Sequence, residues 1–514
     1  MTPAGPLSKR QLYTVFGGLM IGLLLSALDG TIVSTALPTI AGRLGGLEHI
    51  AWVATAYLLT STAATPLFGK VSDLYGRRLL FQVAIVIFLV GSLLAALAQT
   101  FGQLVLFRGI QGIGGGGLQS MAFVMVGDLV PPRERGRYIG FFTGVFALSS
   151  VVGPLAGGFL VDNLSWRWIF TINLPIGIVA LFVTSWALKM PHVKRDHKID
   201  WLGAALLVSG TTLVILTTVW GGKEYAWTSP TIIAMGGGAV AIWVSFVKWE
   251  RKAPEPIVPM HLFSNRVFAS SMVALLLVGS LLMSTDSFLP LFMQTVIGTS
   301  ATSSGLLLMP LMAGILTTSI SSGRLIARTG RYKIFPVVGL GFCCTAVFLF
   351  TRLNVGTGRV YVSAVQFLMG LGIGATMPTT SVAVQNSVDQ KDMGVATAAS
   401  QFTRSFGGAL GLAGYGAVFA SRINGKIPAA IAKRIEDPRA IRALPPEQRA
   451  EVAKVLASGV RGVYVFALPV MCVAWVIMMF MKELPLRGST AMPAAEAGAS
   501  SGDEGGEPVV MVAH

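Results

Sequence analysis

The stretch GKVSDLYGRR, residues 69–78, has an echo later in the chain, GRLIARTGR at residues 323–331, at an offset of 254 residues. Two other features repeat at nearly the same distance, a carboxylate inside an apolar run at an offset of 257 and a glycine pair at an offset of 258: Asp29 and Asp286, then Gly112-Ile-Gly114 and Gly370-Leu-Gly372. Three agreeing offsets indicate that the chain contains two homologous halves.

The composition is that of a membrane protein, with 53% hydrophobic residues, 12% charged residues and a mean hydropathy of +0.70. These values lie far from the averages of soluble domains. Fourteen apolar runs are long enough to cross a bilayer. They cover 13–38, 50–68, 79–99, 103–130, 138–161, 168–188, 200–220, 230–248, 267–295, 304–327, 334–351, 359–384, 393–420 and 460–481.

A half of six spans needs roughly 190 residues. The distance between the repeated motifs is longer than one such half. The extra residues predict two inserted helices, at 200–220 and 230–248. The predicted fold is therefore an all-α membrane protein of two six-helix bundles plus two inserted transmembrane helices. Repeated halves around a midplane site are typical of secondary transporters. The predicted units are a first bundle at 1–190, the insert with its linkers at 191–262, a second bundle at 263–486 and a disordered tail at 487–514.

An even number of spans places both termini on one side. Lys and Arg concentrate in the connections on that side, as at 70–78, 133–137 and 324–333, which predicts that both termini are cytoplasmic in the cell (inner) membrane. These clusters account for the net charge of +16 without a nucleic-acid-binding patch.

The predicted outer loop at 421–459 carries many basic residues, but long loops are translocated largely regardless of charge. Pro446, Glu447 and the spaced Val452, Val455 and Leu456 predict a short amphipathic helix there, with a second around 427–435. A solvated helical hairpin is one interpretation. A cap over the outer mouth, or a contact with lipid or a partner, is the other.

Four charged residues lie inside the apolar runs and away from their ends: Asp29, Arg108, Asp286 and Arg404. A charge there costs at least a few kcal/mol, so it marks a transport pathway by default. Asp29 lies about 24 Å along its span and Arg108 about 8 Å into its own from the opposite side, which predicts a direct or water-bridged pair. Arg404, about 18 Å deep, is expected to pair with Asp286 or to line the cavity. The alternative is that buried ion pairs only fix helix register.

The charged residues in the loop from Gly69 through Gly76 to Arg78 are predicted to form a cluster. Asp73 is expected near a helix end, and Arg77 or Arg78 is expected to reach Asp128. Such a cluster can hold one side of the protein shut in one state and break in the other. A plain topology signal is the alternative.

The fifth span contains Gly153-Pro154 and Gly157-Gly158. Small residues let a neighbouring helix approach closely, and Pro154 removes a backbone hydrogen bond so that the helix can bend. Ordinary helix packing is the alternative interpretation.

Together these motifs resemble those of the 14-span drug:proton antiporters of the major facilitator superfamily, over essentially the whole chain. Residues 69–78 are similar to the superfamily's loop motif, with Leu74 where a basic residue is usual. Residues 108–114 resemble its fourth-span motif, residues 28–38 the first-span motif of this branch, and residues 140–158 the antiporter motif, with Ser149 replacing a glycine. The resemblance implies proton-coupled export of amphipathic small molecules, with a hinge or leak barrier at residues 153–158.

Other classes fit the sequence less well. Gly112-x-Gly114-x-x-Gly117 fits a dinucleotide fingerprint, but it lies inside a span and follows no strand, so no cofactor and no enzyme activity are expected. A channel, the remote alternative, is disfavoured by the duplicated halves. A lipid, a siderophore or a self-made metabolite remains open as cargo, and a monomer is expected.

Candidate cavity residues are apolar and adaptable: Met283, Phe288, Phe292, Met293 and Gln294 on the ninth span, and Phe141 and Phe142 on the fifth. Core packing is an equally good interpretation of these side chains.

Overall fold

The computed structural model describes residues 9–45, 50–188, 200–222, 224–299, 307–423, 426 and 444–486. Within these ranges, one isolated bridge between Gly221 and Tyr225 is the only β pairing. The described chain forms fourteen long helices, of which the sixth is interrupted at Ile172. They are α1 (Lys9–Leu44), α2 (Ala51–Tyr75), α3 (Arg77–Leu97), α4 (Phe101–Leu129), α5 (Pro132–Asn163), α6 (Trp168–Thr171 continued by Asn173–Ala187), α7 (Trp201–Trp220), α8 (Pro230–Glu250), α9 (Arg266–Thr295), α10 (Met309–Thr329), α11 (Ile334–Phe350), α12 (Arg359–Ser387), α13 (Met393–Ile423) and α14 (Pro446–Met479).

Each helix coincides with one of the apolar runs of the sequence. In the described part of the chain, nine of them are long and apolar enough to cross a membrane, and α11 is apolar but shorter, at 17 residues. The others include α2 and α4, in which Thr60–Thr65 and Gly114–Gly117 replace long apolar side chains. The all-α multi-pass membrane fold is confirmed, whereas the count of fourteen spans stays a prediction.

The helix ends follow ordinary capping rules. Thr100 begins α4 with a reciprocal cap, in which Gln103 N donates to Thr100 Oγ1 at 3.2 Å and Thr100 N donates to Gln103 Oε1 at 3.3 Å. Asp200 Oδ1 accepts from Gly203 N at 2.8 Å at the start of α7. The serine and proline at 229–230 begin α8.

One expected element is wrong. The short amphipathic helix predicted near Pro446 is the beginning of α14, which runs unbroken from Pro446 to Met479. Val452 and Leu456 face the hydrophobic core of the second half rather than solvent. Pro446 and Glu447 are favourable in a first helical turn, so the helix begins well before its apolar run. The second helix predicted around 427–435 and the tail 487–514 lie outside the described residues.

Three large hydrophobic clusters form the core of the described chain. Two are built mainly from α1–α6 and the third from α9–α14. The hairpin of α7 and α8 packs beside α2 and α13, with Leu207, Phe246 and Phe402 in a small cluster of their own.

The internal repeat is visible in the packing of glycines. Gly112 of α4 lies against Tyr57 and Thr60 of α2, and Gly370 of α12 lies against Leu311 and Ile315 of α10. A side chain at either glycine would collide with the backbone of the neighbouring helix, so both close approaches require glycine.

We call the side where α1 begins and α14 ends the terminal face, and the opposite side the far face. The two halves touch near the terminal face. A Cβ atom on Gly323 of α10 would lie 2.6 Å from the carbonyl carbon of Gly136 of α5, and one on Gly140 would lie 3.3 Å from Ser319 O. Gly69 of α2 similarly lies against Ala398 of α13. These backbone contacts close the terminal face in this conformation.

Candidate functional site

The first half contains a buried polar network around Asp29 of α1. Arg108 Nη1 of α4 forms an ion pair with Asp29 Oδ2, and the exposed fractions of the two side chains are 2% and 0%. Gln111 Nε2 donates to Asp29 Oδ1 at 2.7 Å, and Asn173 Nδ2 of α6 donates to the same oxygen at 3.1 Å. Two neighbouring helices, α4 and α6, therefore hold the carboxylate of α1, and the ion pair expected from helix depth is present.

Further contacts fix the arginine. Arg108 Nη1 donates to Gln111 Oε1 at 2.6 Å, and Nε donates to Val53 O of α2 at 3.4 Å. The guanidinium carbon lies 4.4 Å from the centre of the Tyr57 ring, a cation–π contact. Ser92 Oγ of α3 accepts from both Gln111 and Asn173. Both charges of the pair are paired and hydrogen-bonded, which is the condition under which buried charges are tolerated, although Asn173 Oδ1 is buried without a hydrogen-bond partner in the described chain.

Asp286 of α9 has a different environment. It is exposed, and it makes no hydrogen bond or ion pair with any residue that the structure describes. Its electrostatic neighbour is the buried Tyr464 of α14. Arg404 of α13 is half-buried and likewise has no ion-pair partner in the described ranges.

The expected pairing of Asp286 with Arg404 is wrong for this conformation. Gly279, seven residues before Asp286 on α9, packs directly on the backbone of Arg404. Seven residues of helix put Asp286 about 10 Å further along α9 than that contact. Counting residues along each helix separately gives no information on how far α9 is shifted along its axis relative to α13.

The charge cluster expected from residues 69–78 assembles around Arg77. Arg77 Nε donates to Asp128 Oδ2 at 2.7 Å, and Nη2 forms an ion pair with Asp73. Arg77 Nη1 donates to Ser72 Oγ and to Gly69 O. Arg78 has a different partner, the carbonyl oxygen of Ser185 in α6, at 2.8 Å.

This cluster, which we call the Arg77 cluster (Asp73, Arg77 and Asp128), lies against the beginning of α13. A Cβ atom on Gly394 would lie 2.5 Å from both Arg77 Nη2 and Asp73 Oδ1. Asp73 is thus placed at a helix N-terminus, where a carboxylate is favourable. Asp73 lies beyond the predicted span 50–68, and burial raises the pKa of its carboxyl while the Arg77 guanidinium acts in the opposite direction.

The Gly-Pro motif of α5 packs on α1 just beyond Asp29. Gly153 lies against Thr31, Gly157 lies against Thr35 and Ile32, and Thr31 Oγ1 donates to Ser149 O at 3.0 Å. Pro154 lies inside the continuous helix, and Gly158 has open space around its Cα atom. The first two glycines therefore set the distance between α5 and the helix that carries Asp29.

Several candidate cavity residues are core residues instead. Phe288 is 8% exposed and packs at a tilted angle against Phe419, while Phe292 and Met293 are fully buried in the core of the second half. Met283 lies against Gly408 of α13, and Gln294 is half-buried. On α5, Phe141 is 38% exposed and Phe142 is buried. Apolar composition alone does not show which of two adjacent residues in a helix faces the core and which faces outward.

Sequence reasoning did not assign Gln111, Asn173, Ser92 and Tyr57 to the site. The signal for two of them was present, because an uncharged amide inside an apolar run needs hydrogen-bond partners. Ser92 and Tyr57 are common residues in transmembrane helices and carry no such signal.

A bundle of paired, repeated helices with a charged network at its centre defines a membrane transporter. The chain belongs to the major facilitator superfamily, whose family model matches residues 19–412.

Curated relatives support this assignment. The chain is 39% identical over 422 residues to multidrug transporter protein MdtP of Bacillus subtilis, covering 82% of this chain and 77% of the relative. It is 35% identical over 492 residues to multidrug resistance protein 3 of the same species, covering 92% and 96%. It is also 35% identical over 443 residues to the acurin A biosynthesis cluster MFS-type transporter of Aspergillus aculeatus, covering 85% and 79%.

Solved structures share the fold. The human organic anion transporter MFSD10 matches with a TM-score of 0.64 and 15% identity, over 91% of this chain and 99% of that one. The proton:xylose symporter XylE matches with a TM-score of 0.59 and 14% identity, over 93% and 97%.

Proposed function

We propose that this protein is a proton-driven exporter of amphipathic small molecules in the cell (inner) membrane, with both termini cytoplasmic. The observation that carries the proposal is the buried Asp29–Arg108 pair, a titratable group kept at the centre of a membrane-spanning bundle. The multidrug names of two relatives support the cargo class. The distribution of Lys and Arg supports the orientation.

Export of a self-made metabolite is the second candidate for cargo. The relative named for the acurin A biosynthesis cluster supports it. The two candidates share the same fold and energy source, so they differ only in what the chain carries.

The energy source is tested in inside-out vesicles with an acidified lumen. They should accumulate an amphipathic cationic dye, and a protonophore should abolish the uptake. Uptake that requires ATP and persists with the protonophore would overturn proton coupling.

We further infer that both embedded carboxylates exchange protons, but in different conformations. Asp286 is exposed with the terminal face closed, whereas Asp29 is sealed inside its network. Protonation of Asp29 would free Arg108 and loosen the hold of α4 and α6 on α1, and would so couple proton binding to movement of the helices.

Substrate-evoked proton release from purified protein distinguishes the two carboxylates. Asp29→Asn keeps the volume and the hydrogen-bonding capacity of the side chain but removes the titratable group. It should abolish release while the protein stays monodisperse, and Asp286→Asn should reduce release in part. Normal release from well-folded Asp29→Asn would move the coupling site to Asp286.

The Arg77 cluster is proposed as the cytoplasmic gate. Arg77→Ala and Asp73→Asn should leave a folded protein with slower turnover, because the cluster biases the closed state rather than binding cargo. Arg78→Ala is the matched control, since Arg78 donates to Ser185 O of α6 and is not part of the cluster that lies against Gly394 of α13. Equal turnover in all three variants would leave these charges as topology signals.

A further inference from the structure

The hairpin of α7 and α8 carries a groove that the transport proposal does not use. Its volume is about 680 Å³, and Val214, Thr217 and Thr218 of α7 line one wall. The other wall is one face of α8 that runs from Gly236 through Val240 and Val244 to Lys248 and Arg251. Among the nine candidate spans of the described chain, α8 buries the smallest share of its residues.

The groove is apolar along its length. Thr217 Oγ1 donates to Leu213 O at 2.6 Å and Thr218 Oγ1 donates to Ile215 O at 2.7 Å, so both hydroxyls are satisfied by their own helix. Their methyl groups are left for the groove. Val240, 64% exposed, and Val244, 47% exposed, continue the apolar wall.

The terminal end of the groove is positively charged. Lys248 and Arg251 are exposed, and their side chains make no ion pair or hydrogen bond with any residue that the structure describes. The nearby carboxylates are engaged elsewhere. Asp200 caps α7 and accepts from Trp249 Nε1 at 2.9 Å, and Glu250 accepts from the backbone N–H groups of Ile257 and Val258.

A third carboxylate on this side is also occupied, because Glu255 Oε2 lies 3.7 Å from Lys70 Nζ. The two cations at the groove end therefore lack a counter-charge within the described chain. Both cations are therefore available to an anionic group bound at this end of the groove.

We propose that this groove binds an anionic phospholipid from the leaflet on the terminal side. One acyl chain lies along α8, and the phosphate contacts Lys248 and Arg251. From Arg251 to Gly236 the wall is about 22 Å long, more than the roughly 15 Å of one leaflet's hydrocarbon, so a full acyl chain fits. Basic pockets between transmembrane helices on the cytoplasmic side are suited to anionic headgroups.

The test measures binding of dioleoylphosphatidylglycerol and dioleoylphosphatidylcholine to the purified full chain by native mass spectrometry. The parent should retain the anionic lipid preferentially. Each cation removed, as Lys248→Gln or Arg251→Gln, should weaken retention of the anionic lipid about five-fold. Arg328→Gln, an exposed cation at the terminal end of α10, is the charge-matched control and should have no effect.

A second pair of variants tests the acyl chain. A Cβ atom on Gly236 or on Gly237 would meet nothing within 4 Å, but only Gly236 lines the groove. Gly236→Leu should weaken retention of the anionic lipid, and Gly237→Leu should not.

Four outcomes would overturn the assignment. Three of them are equal retention of both lipids by the parent, unchanged retention when Lys248→Gln and Arg251→Gln are combined, and displacement of the lipid by inorganic phosphate alone. The last would assign the cations to a free anion. Displacement by an exported amphiphile would instead assign the groove to cargo.

Discussion

Asp29 and Asp286 occupy corresponding places in the two halves, 257 residues apart, yet their surroundings are opposite. Asp29 is fully buried and accepts from Arg108, Gln111 and Asn173. Asp286 is exposed and has no hydrogen-bond or ion-pair partner among the described residues. The repeat has kept the carboxylate and not its partners.

The partners can be traced through the repeat. At the 258-residue offset of the glycine pair, Arg108 corresponds to Gln366 and Gln111 corresponds to Met369. Both amide atoms of Gln366 are buried without a hydrogen-bond partner in the described chain. The glycines that set helix spacing are common to both halves, whereas the polar network exists in one. The two halves therefore share their backbone packing and differ in the chemistry of the site.

The largest effect is expected from removing the positive partner in the first half. Arg108→Ala should lower the free energy of unfolding by about 3–5 kcal/mol, because Asp29 is left buried and unpaired. Arg404→Ala should cost less than about 1 kcal/mol, since no described carboxylate pairs with it. Tryptophan fluorescence during unfolding in mixed micelles measures both. Similar losses in the two variants would mean that the halves are electrostatically alike.

A second pair of changes should have opposite signs. Gln111→Leu should cost about 1.5–3 kcal/mol, because it removes hydrogen bonds to two charged groups. Gln366→Leu should be neutral or stabilising by about 1 kcal/mol, because it removes a buried amide that lacks partners. The same unfolding measurement applies. Destabilisation by Gln366→Leu would reveal a partner for this amide in a different conformation of the second half.

The smallest effect is expected at Tyr57. Tyr57→Phe removes the hydroxyl contact to Ser26 Oγ at 3.1 Å but keeps the ring over Arg108. The cost should be about 0.5–1.5 kcal/mol. Tyr57→Ala should cost more, because the cation–π contact is lost as well. If the two substitutions cost the same, the ring contributes little to the charge network.

The sequence was sufficient for the helices and for part of the site. Apolar runs of span length located all fourteen helices, because the bilayer leaves few alternatives to a helix. The Asp29–Arg108 pair followed from depth along two helices that share a network. The same arithmetic failed for Asp286 and Arg404, because the stagger of α9 against α13 is set by glycine packing at Gly279.

The direction in which side chains point was the second feature that could not be predicted from the sequence. Phe292 and Met293 face the core, and a rotation of one residue would have turned them outward. The start of α14 was missed because its first turns are polar outside and apolar only at positions such as Val452 and Leu456. The average composition of a stretch of sequence does not distinguish the polar side of a helix from its apolar side.

The contact between Gly136 and Gly323 has a consequence for the speed of closure. Two backbones meet there with no side chain between them. Glycine has no rotamers to lose when a contact forms, whereas a long side chain loses up to about 2 kcal/mol of rotamer freedom. At this point the terminal face can therefore close without a search through side-chain conformations. The barrier to opening at this end must come from the contact of the Arg77 cluster with the beginning of α13 and from backbone contact, both of which break in a single rigid-body step.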